Sequence, residues 1–170
     1  AWSIHTDNKS VYLTGNFQGT PDFDPGAGSA TLTMLGIQDA FVARYDTAGN
    51  YIWAKAFHGY DIEVGKWVTT DKFGNVYATG DFRAQVDFDP GPGTANITTG
   101  GFTDMYMSKL DSSGNYVWAK SIGGGFADYT ASIHTDIIGD VYLIGSFRGT
   151  VDWDPSVGVS TLISNGQYDI

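Results

Sequence analysis

The sequence predicts an all-β protein built from repeated antiparallel sheets, and three observations support this fold class. The chain repeats itself every 65 residues, 18 of its 19 acidic residues are Asp, and its strand-like segments alternate with short turns that contain Gly and Asn. A fixed internal period is typical of repeat architectures. Asp favours caps and turns over helix interiors, because its short side chain competes for nearby backbone donors.

The repeat is clearest when residues 11–57 are aligned with 76–122, since 22 of the 47 positions are identical. The chain of 170 residues therefore holds about 2.6 units. We assign these units to residues 1–65, 66–130 and 131–170, with the last one incomplete, and we expect all three to form one domain.

Each unit is predicted to contain four strands, as the second unit illustrates. The turns DKFGN (71–75) and DSSGN (111–115) favour tight antiparallel hairpins. A longer connection separates the middle strands, and ANITT (95–99) is predicted to form an extra short strand within it. The four main segments are short and rich in β-branched and aromatic residues. They are KWVTTD (66–71), NVYATGDF (75–82), DMYMSKLD (104–111) and NYVWAKSI (115–122).

Units of four antiparallel strands cannot cover both of their own faces, and radial packing of such units as blades gives a β-propeller. We therefore predict a partial β-propeller with 65-residue blades. A propeller usually has about four to eight blades. The ring is thus expected to be completed by blades outside this stretch or by other copies of the chain, unless the units form an open array. Exposed blade edges recruit other strands, so a piece of this length is expected to associate or to be poorly soluble.

The repeated motifs resemble those of the bacterial SBBP-type β-propeller repeats. The resemblance rests on D-x-x-GNVYATGDF (71–82), VDFDPGPG (86–93), D-x-x-x-SKLD-x-x-GNYVWAK (104–120) and GGGFADYT (123–130), and it covers essentially the whole chain. It implies a propeller scaffold from a large secreted or surface-exposed bacterial protein, of the kind found in Bacteroidetes. Some such proteins are exported by type IX secretion and carry adhesive modules, so the expected location is extracellular or at the bacterial cell surface.

Charge and composition exclude several classes of partner. The formal net charge is −10, and the nine basic residues are scattered over the repeats. Nucleic-acid binding needs clustered Lys and Arg, so we expect no nucleic-acid partner. The chain has no Cys and no apolar run of about 18 residues, and we therefore expect neither disulfides nor a membrane span. No leader sequence is recognisable in this stretch.

An acidic turn occurs once in each unit, as PDFDPGAG (21–28), VDFDPGPG (86–93) and VDWDPSVG (151–158). Paired carboxylates followed by a Pro-Gly turn could supply oxygen ligands for Ca²⁺. In the alternative, the aromatic residue points into the core while the two Asp accept hydrogen bonds from backbone amides of the turn. The candidate calcium ligands are Asp22, Asp24, Asp87, Asp89, Asp152 and Asp154.

Most aromatic residues recur at the repeat step, which favours packing between blades. Trp2 and Trp67 are the exceptions: when Asp7 is aligned with Asp71, Trp2 corresponds to Lys66 rather than to Trp67. A non-repeating aromatic is a candidate for stacking on a sugar ring, although a packing role remains the alternative for both tryptophans.

The sequence offers little catalytic chemistry. His5 and His134 occupy matching positions where the second unit has Thr69, so the repeat does not require histidine. The segment HGY (58–60) aligns with GGG (123–125) and is interpreted as a connection between blades. No nucleophile elbow, HExxH pair or P-loop is present.

The sequence therefore predicts a noncatalytic extracellular scaffold or adhesion module, stabilised by Ca²⁺ if the acidic turns bind it. Its expected partners are other domains or copies of the protein through blade edges, and surface glycans or proteins. A lectin-like propeller, in which repeated pockets add avidity, is the alternative. A glycan-active propeller enzyme is a more distant one.

Overall fold

The computed structural model describes residues 1–136 and 138–170, and within them the chain contains strands, turns and no helix. No helix in this part is long and apolar enough to cross a membrane. The strands are β1 (Ser3–Thr6), β2 (Ser10–Phe17), β3 (Asp39–Asp46), β4 (Tyr51–Gly59), β5 (Glu63–Thr70), β6 (Val76–Phe82), β7 (Gln85–Asp87), β8 (Asn96–Thr98), β9 (Asp104–Leu110), β10 (Tyr116–Gly124), β11 (Tyr129–Thr135), β12 (Val141–Ser146), β13 (Thr150–Asp152) and β14 (Thr161–Ile163).

Each complete unit is an antiparallel meander of four long strands. In the first unit β1, β2, β3 and β4 pair in chain order, and in the second unit β5, β6, β9 and β10 do the same. The third unit begins in the same way with β11 and β12. The all-β blade architecture predicted from the sequence is confirmed, although the described residues do not form a closed ring.

Turns rich in hydrogen bonds join the strands of each meander. In the turn before β6, the Oδ1 atom of Asp71 accepts the backbone N–H groups of Phe73 at 2.9 Å and Asn75 at 3.0 Å, while Oδ2 accepts the hydroxyl of Tyr77 at 3.1 Å. Partial burial acts to raise the pKa of Asp71, but these bonds and those from the Asn75 side chain lower it overall. The predicted hairpin turns are therefore confirmed and rest on one carboxylate each.

A short hairpin ties each unit to the one before it. Strands β7 and β8 leave the second unit and pair with the end of β4 in the first, with His58 opposite Asp87 and Gly59 opposite Val86. Strands β13 and β14 of the third unit pair in the same way with the end of β10. The predicted extra strand at 95–99 is confirmed as β8, whereas its partner β7 was not predicted.

Two apolar clusters lie between neighbouring units, and a third lies within the first unit. Tyr12, Trp53 and Phe57 of the first unit pack against buried side chains of the second, including Phe88 and Tyr106. The rings of Phe57, Phe88 and Tyr106 lie 4.9–5.8 Å apart between centroids. A second core joins the second and third units. Neighbouring sheets therefore cover each other, as the repeat predicts.

Candidate functional site

A cleft lies where the β7–β8 hairpin of the second unit meets the end of β4 in the first. Its volume is about 550 Å³, which is within the range of small-molecule sites. We call it the interblade cleft. It is lined by Thr33, Met34, Leu35, His58, Tyr60, Gln85, Asp87, Thr94 and Asn96.

Strand register arranges its polar side chains in a row across three strands. His58 on β4 lies opposite Asp87 on β7, which in turn lies opposite Asn96 on β8. Side chains that face each other on antiparallel strands have Cβ atoms about 4.5–5.5 Å apart. Because side chains alternate between the two faces of a strand and Val86 is in the core, its neighbours Gln85 and Asp87 point away from the core.

The His58 ring is held by a buried carboxylate. Its Nδ1 atom lies 2.6 Å from Oδ2 of Asp39, whose side chain is fully buried, and the same oxygen accepts the backbone N–H of Leu35 at 3.1 Å. Because Nδ1 contacts Asp39, the Nε2 atom of the imidazole is available to a ligand in the cleft. Asp39 thus fixes the orientation of a polar side chain that is otherwise partly exposed.

A second carboxyl group lies buried close to Asp39. Neither carboxyl oxygen of Glu63 has a hydrogen-bond partner among the described residues, and neither does Oδ1 of Asp39. Burial and the negative charge of Asp39 raise the pKa of Glu63 to about 8. Glu63 is therefore protonated and uncharged at neutral pH.

The corresponding junction between the second and third units keeps the acidic pair and lacks the polar row. Asp104 and Asp128 occupy the positions of Asp39 and Glu63, and burial together with the charge of Asp128 raises the pKa of Asp104 to about 6. However, Gly123 takes the place of His58, and Gly125 takes that of Tyr60. The interblade cleft is therefore specific to the first junction.

The six Asp residues of the acidic turns lie in three equivalent hairpin loops. In each loop the first carboxylate accepts two backbone N–H groups: Oδ1 of Asp87 binds those of Asp89 at 3.0 Å and Ala95 at 2.7 Å. Asp22 and Asp152 make the corresponding bonds. The bonds from Ala30 and Asp24 to Asp22 lower the pKa of that carboxyl group.

The second Asp of each turn explains the last glycine of the motif. Oδ1 of Asp89 accepts the backbone N–H of Gly91 at 2.8 Å, and its Oδ2 lies only 2.2 Å from where a Cβ on Gly93 would be. Asp24 and Asp154 lie against Gly28 and Gly158 in the same manner. Any larger residue would displace the carboxylate.

The structure therefore gives these six carboxylates a role in holding the turns. Within residues 1–136 and 138–170, no three His, Cys, Asp or Glu side chains converge in a metal-binding arrangement. Calcium binding by the turns stays a prediction.

The two tryptophans singled out from the sequence do not line the interblade cleft. Trp2 is 69% exposed, and its indole Nε1–H donates to Oδ1 of Asn16 at 2.5 Å. Trp67 lies in β5 of the next unit, opposite Thr79, and is 44% exposed. The two side chains therefore belong to different units, and a sugar-binding role for either one stays a prediction.

The residues that sequence reasoning missed are His58 and Tyr60. They were interpreted as part of a connection, whereas His58 belongs to β4 and both line the cleft. The signal that could have revealed them was their mismatch with Gly123 and Gly125, because a polar or aromatic residue that breaks a repeat is not required by the common fold.

The chain resembles parts of longer known proteins. No protein-family model matches the chain. It is similar to an uncharacterized WD repeat-containing protein, L264, of Acanthamoeba polyphaga mimivirus, with 32% identity over 110 residues that cover 56% of this chain and 8% of that protein. It is also similar to regulatory protein FlaEY of Caulobacter vibrioides, with 23% identity over 135 residues that cover 77% of this chain and 14% of that protein. The chain thus spans a small part of the length of these relatives. Similarity to a WD repeat-containing protein agrees with the repeated β-sheet units of the structure.

Proposed function

We propose that this chain is a noncatalytic β-propeller scaffold whose units bind further copies of the same kind of unit through their apolar faces. The observation that carries the proposal is the unequal exposure of equivalent residues. Val68 and Ile133 are 1% and 2% exposed because a preceding unit covers them, whereas their equivalent in the first unit, Ile4, is 67% exposed.

The uncovered face of the first unit forms an apolar groove of about 410 Å³. We call it the first-unit groove, and Ile4, Val11, Leu13, Phe23 and Tyr45 line it. In the second unit all five equivalent positions lie in the core between units. They are Val68, Val76, Ala78, Phe88 and Leu110.

The opposite face is uncovered in the third unit. Tyr12 and Tyr77 are buried by the unit that follows them, while their equivalent Tyr142 is 55% exposed. The two uncovered faces correspond to the two opposite sides of each internal core, so a further unit, from the same protein or from a second copy, is expected to pack on the first-unit groove. Contacts of this head-to-tail kind generate rings or open arrays.

Sedimentation velocity over a range of concentrations tests this assembly. We expect the average mass of the 170-residue chain to rise with concentration, because apolar faces of this size are normally covered. Ile4→Asp and Leu13→Asp, both in the groove, should reduce association, while Phe73→Asp, on an exposed turn outside it, should leave association unchanged. A folded chain that remains monomeric at every concentration contradicts the proposal.

We propose that the scaffold is noncatalytic, because the oriented imidazole of His58 has neither a Ser nor a Cys beside it among the described residues of the interblade cleft. The described residues that line the interblade cleft beside His58 include Thr33 and Thr94 but no Ser or Cys. The name of the WD repeat relative also suits a scaffold. Hydrolysis of polysaccharides by the purified chain, with loss of activity in His58→Ala or Asp87→Asn, would count against this part of the proposal.

We propose an extracellular or cell-surface location for the natural protein. The acidic, Cys-free composition and the resemblance of the motifs to SBBP-type repeats support it. The test is surface labelling of intact source cells followed by detection of this chain. Labelling only after lysis would contradict the proposal.

Calcium binding by the acidic turns is a further proposal. Each turn presents two carboxylates, and in Asp24 and Asp89 the Oδ2 atom has no hydrogen-bond partner among the described residues. A cation that binds only the folded state raises its stability. We expect the melting temperature to rise in millimolar Ca²⁺ relative to chelator, and an unchanged value would speak against binding.

A further inference from the structure

We infer that the interblade cleft binds a neutral saccharide, with Tyr60 as the platform for the sugar ring and the row of His58, Asp87 and Asn96 as the hydrogen-bonding wall. This inference does not depend on the assembly proposed above, because the cleft lies within one chain and at a junction that is already covered.

The chemistry of the lining disfavours anionic ligands. No Lys or Arg is among the described residues that line the cleft, and the chain is strongly acidic. Phosphates, nucleotides and carboxylate ligands would therefore lack a partner charge. A metal ion is equally disfavoured, because Asp87 is the single carboxylate in the lining and a hard cation takes six or more oxygen ligands.

The polar side chains of the wall have hydrogen-bond donors and acceptors that the fold does not use. Oδ1 of Asp87 accepts two backbone N–H groups, while its Oδ2 has no partner among the described residues. The Asn96 side chain also makes no hydrogen bond within this part of the chain and offers both a donor and an acceptor. A carboxylate and an amide beside an oriented imidazole suit adjacent hydroxyl groups, which both donate and accept.

A sugar ring also needs an apolar surface to stack on, and the exposed side chain of Tyr60 provides one beside the polar row. Tyr60 follows β4 two residues after His58 and is 74% exposed, so its ring face is open to solvent. Gln85 lies two residues from Asp87 on β7 and lines the same cleft. An aromatic face beside convergent polar groups is the arrangement expected where one side of a ligand is apolar and its edge is polar.

The second junction provides an internal comparison. The residues that correspond to His58, Tyr60 and Asn96 are Gly123, Gly125 and Thr161, so the ring, the imidazole and the amide are all missing there. Only the Asp of the hairpin is kept, as Asp152. One saccharide site per chain is therefore expected.

The test uses the isotopically labelled chain and a panel of neutral mono- and disaccharides that contains glucose, galactose, mannose, N-acetylglucosamine, cellobiose and lactose. We expect at least one of them to shift amide resonances around His58, Gln85 and Asn96, with a dissociation constant on the order of 1 mM. Tyr60→Ala and His58→Ala should each weaken binding about tenfold or more. Both side chains are at least partly exposed, and unchanged spectra elsewhere in the chain confirm folding.

Trp2→Ala and Trp67→Ala are the matched controls, because they remove exposed aromatic side chains that do not line the interblade cleft and should leave the affinity unchanged. Three results overturn the inference. They are no resonance shift with any saccharide of the panel at about 20 mM, shifts that centre on Trp2 or Trp67 and persist in Tyr60→Ala, and tighter binding of glucuronic acid than of any neutral sugar.

Discussion

The first junction, between units one and two, and the second junction, between units two and three, have the same frame and different surfaces. Both have an apolar core, a buried acidic pair and a hairpin that crosses from one unit to the other. They differ where the side chains leave the core, because His58 and Tyr60 are replaced by Gly123 and Gly125. The comparison shows that the two junctions share the side chains that pack between units, whereas the side chains that face solvent differ.

The buried acids differ as well, by one methylene group. Asp128 is fully hydrogen-bonded: its Oδ1 accepts the backbone N–H of Arg148 at 2.9 Å and its Oδ2 that of Gly124 at 2.8 Å. The longer Glu63 makes neither bond, and the N–H of Arg83 donates to the carbonyl of Ile62 instead. Instead, the protonated carboxyl group of Glu63 lies beside the buried carboxylate of Asp39.

The largest expected effect compares the aromatic residues of the two hairpins. Phe88 is fully buried at the first junction, whereas its equivalent Trp153 is only partly buried at the second. Phe88→Ala should lower the free energy of unfolding by about 3–5 kcal/mol, and Trp153→Ala by about 1–2 kcal/mol because less of the ring leaves water on folding. Urea unfolding of both variants measures the difference. Equal losses of unfolding free energy would contradict the difference in burial between the two aromatic side chains.

The next effect is a pH dependence that separates the two junctions. The pKa of Glu63 is raised from 4.5 to about 8 in the folded chain, so between these values the unfolded chain has lost a proton that the folded chain keeps. Stability must then fall as pH rises, by about 1.4 kcal/mol per pH unit for this one group. For Asp104 the corresponding window runs from 3.8 to about 6.

Replacing each carboxyl group by an amide shows which junction causes the loss of stability in each pH range. Glu63→Gln should be more stable than the parent chain at pH 8 and should flatten the dependence between about 6 and 8, where Asp104 no longer contributes. Asp104→Asn should flatten it between about 4 and 6. The measurement is the urea midpoint from pH 4 to 9. A stability of the parent chain that rises from pH 6 to 8 would contradict the assignment of a protonated Glu63.

The smallest effect compares the residues that start the two hairpins. Ala84 has φ of 56°, in the left-handed region, where its equivalent Gly149 has φ of 72°. Ala84→Gly should therefore raise the free energy of unfolding by up to about 1 kcal/mol. Gly149→Ala should lower it by more than that, because its Cβ would also lie 2.7 Å from the Phe126 ring. Melting temperatures of the two variants give the signs, and a destabilised Ala84→Gly would mean that strain at this position is relieved elsewhere.

Much of the fold could be predicted from the repeat, and little of the site. The four long strands and the hairpin turns follow from β-branched and aromatic segments bounded by Asp, Gly and Asn, which are local signals. The pairing of β7 with β4 could not be predicted, because the two strands belong to different units and their contact is set by how whole sheets pack. His58 and Tyr60 were assigned to a connection because their place in the cleft also depends on this packing between units.

The sequence by itself determined the length of the unit, the class of fold and the main strand segments, because a period that recurs imposes the same local structure on each copy. Only the tertiary structure decided that His58, Asp87 and Asn96 lie side by side and that Glu63 is buried beside Asp39. These groups are far apart along the chain, and a hairpin that crosses between sheets brings them together. Proximity of this kind depends on packing, which local sequence patterns do not encode.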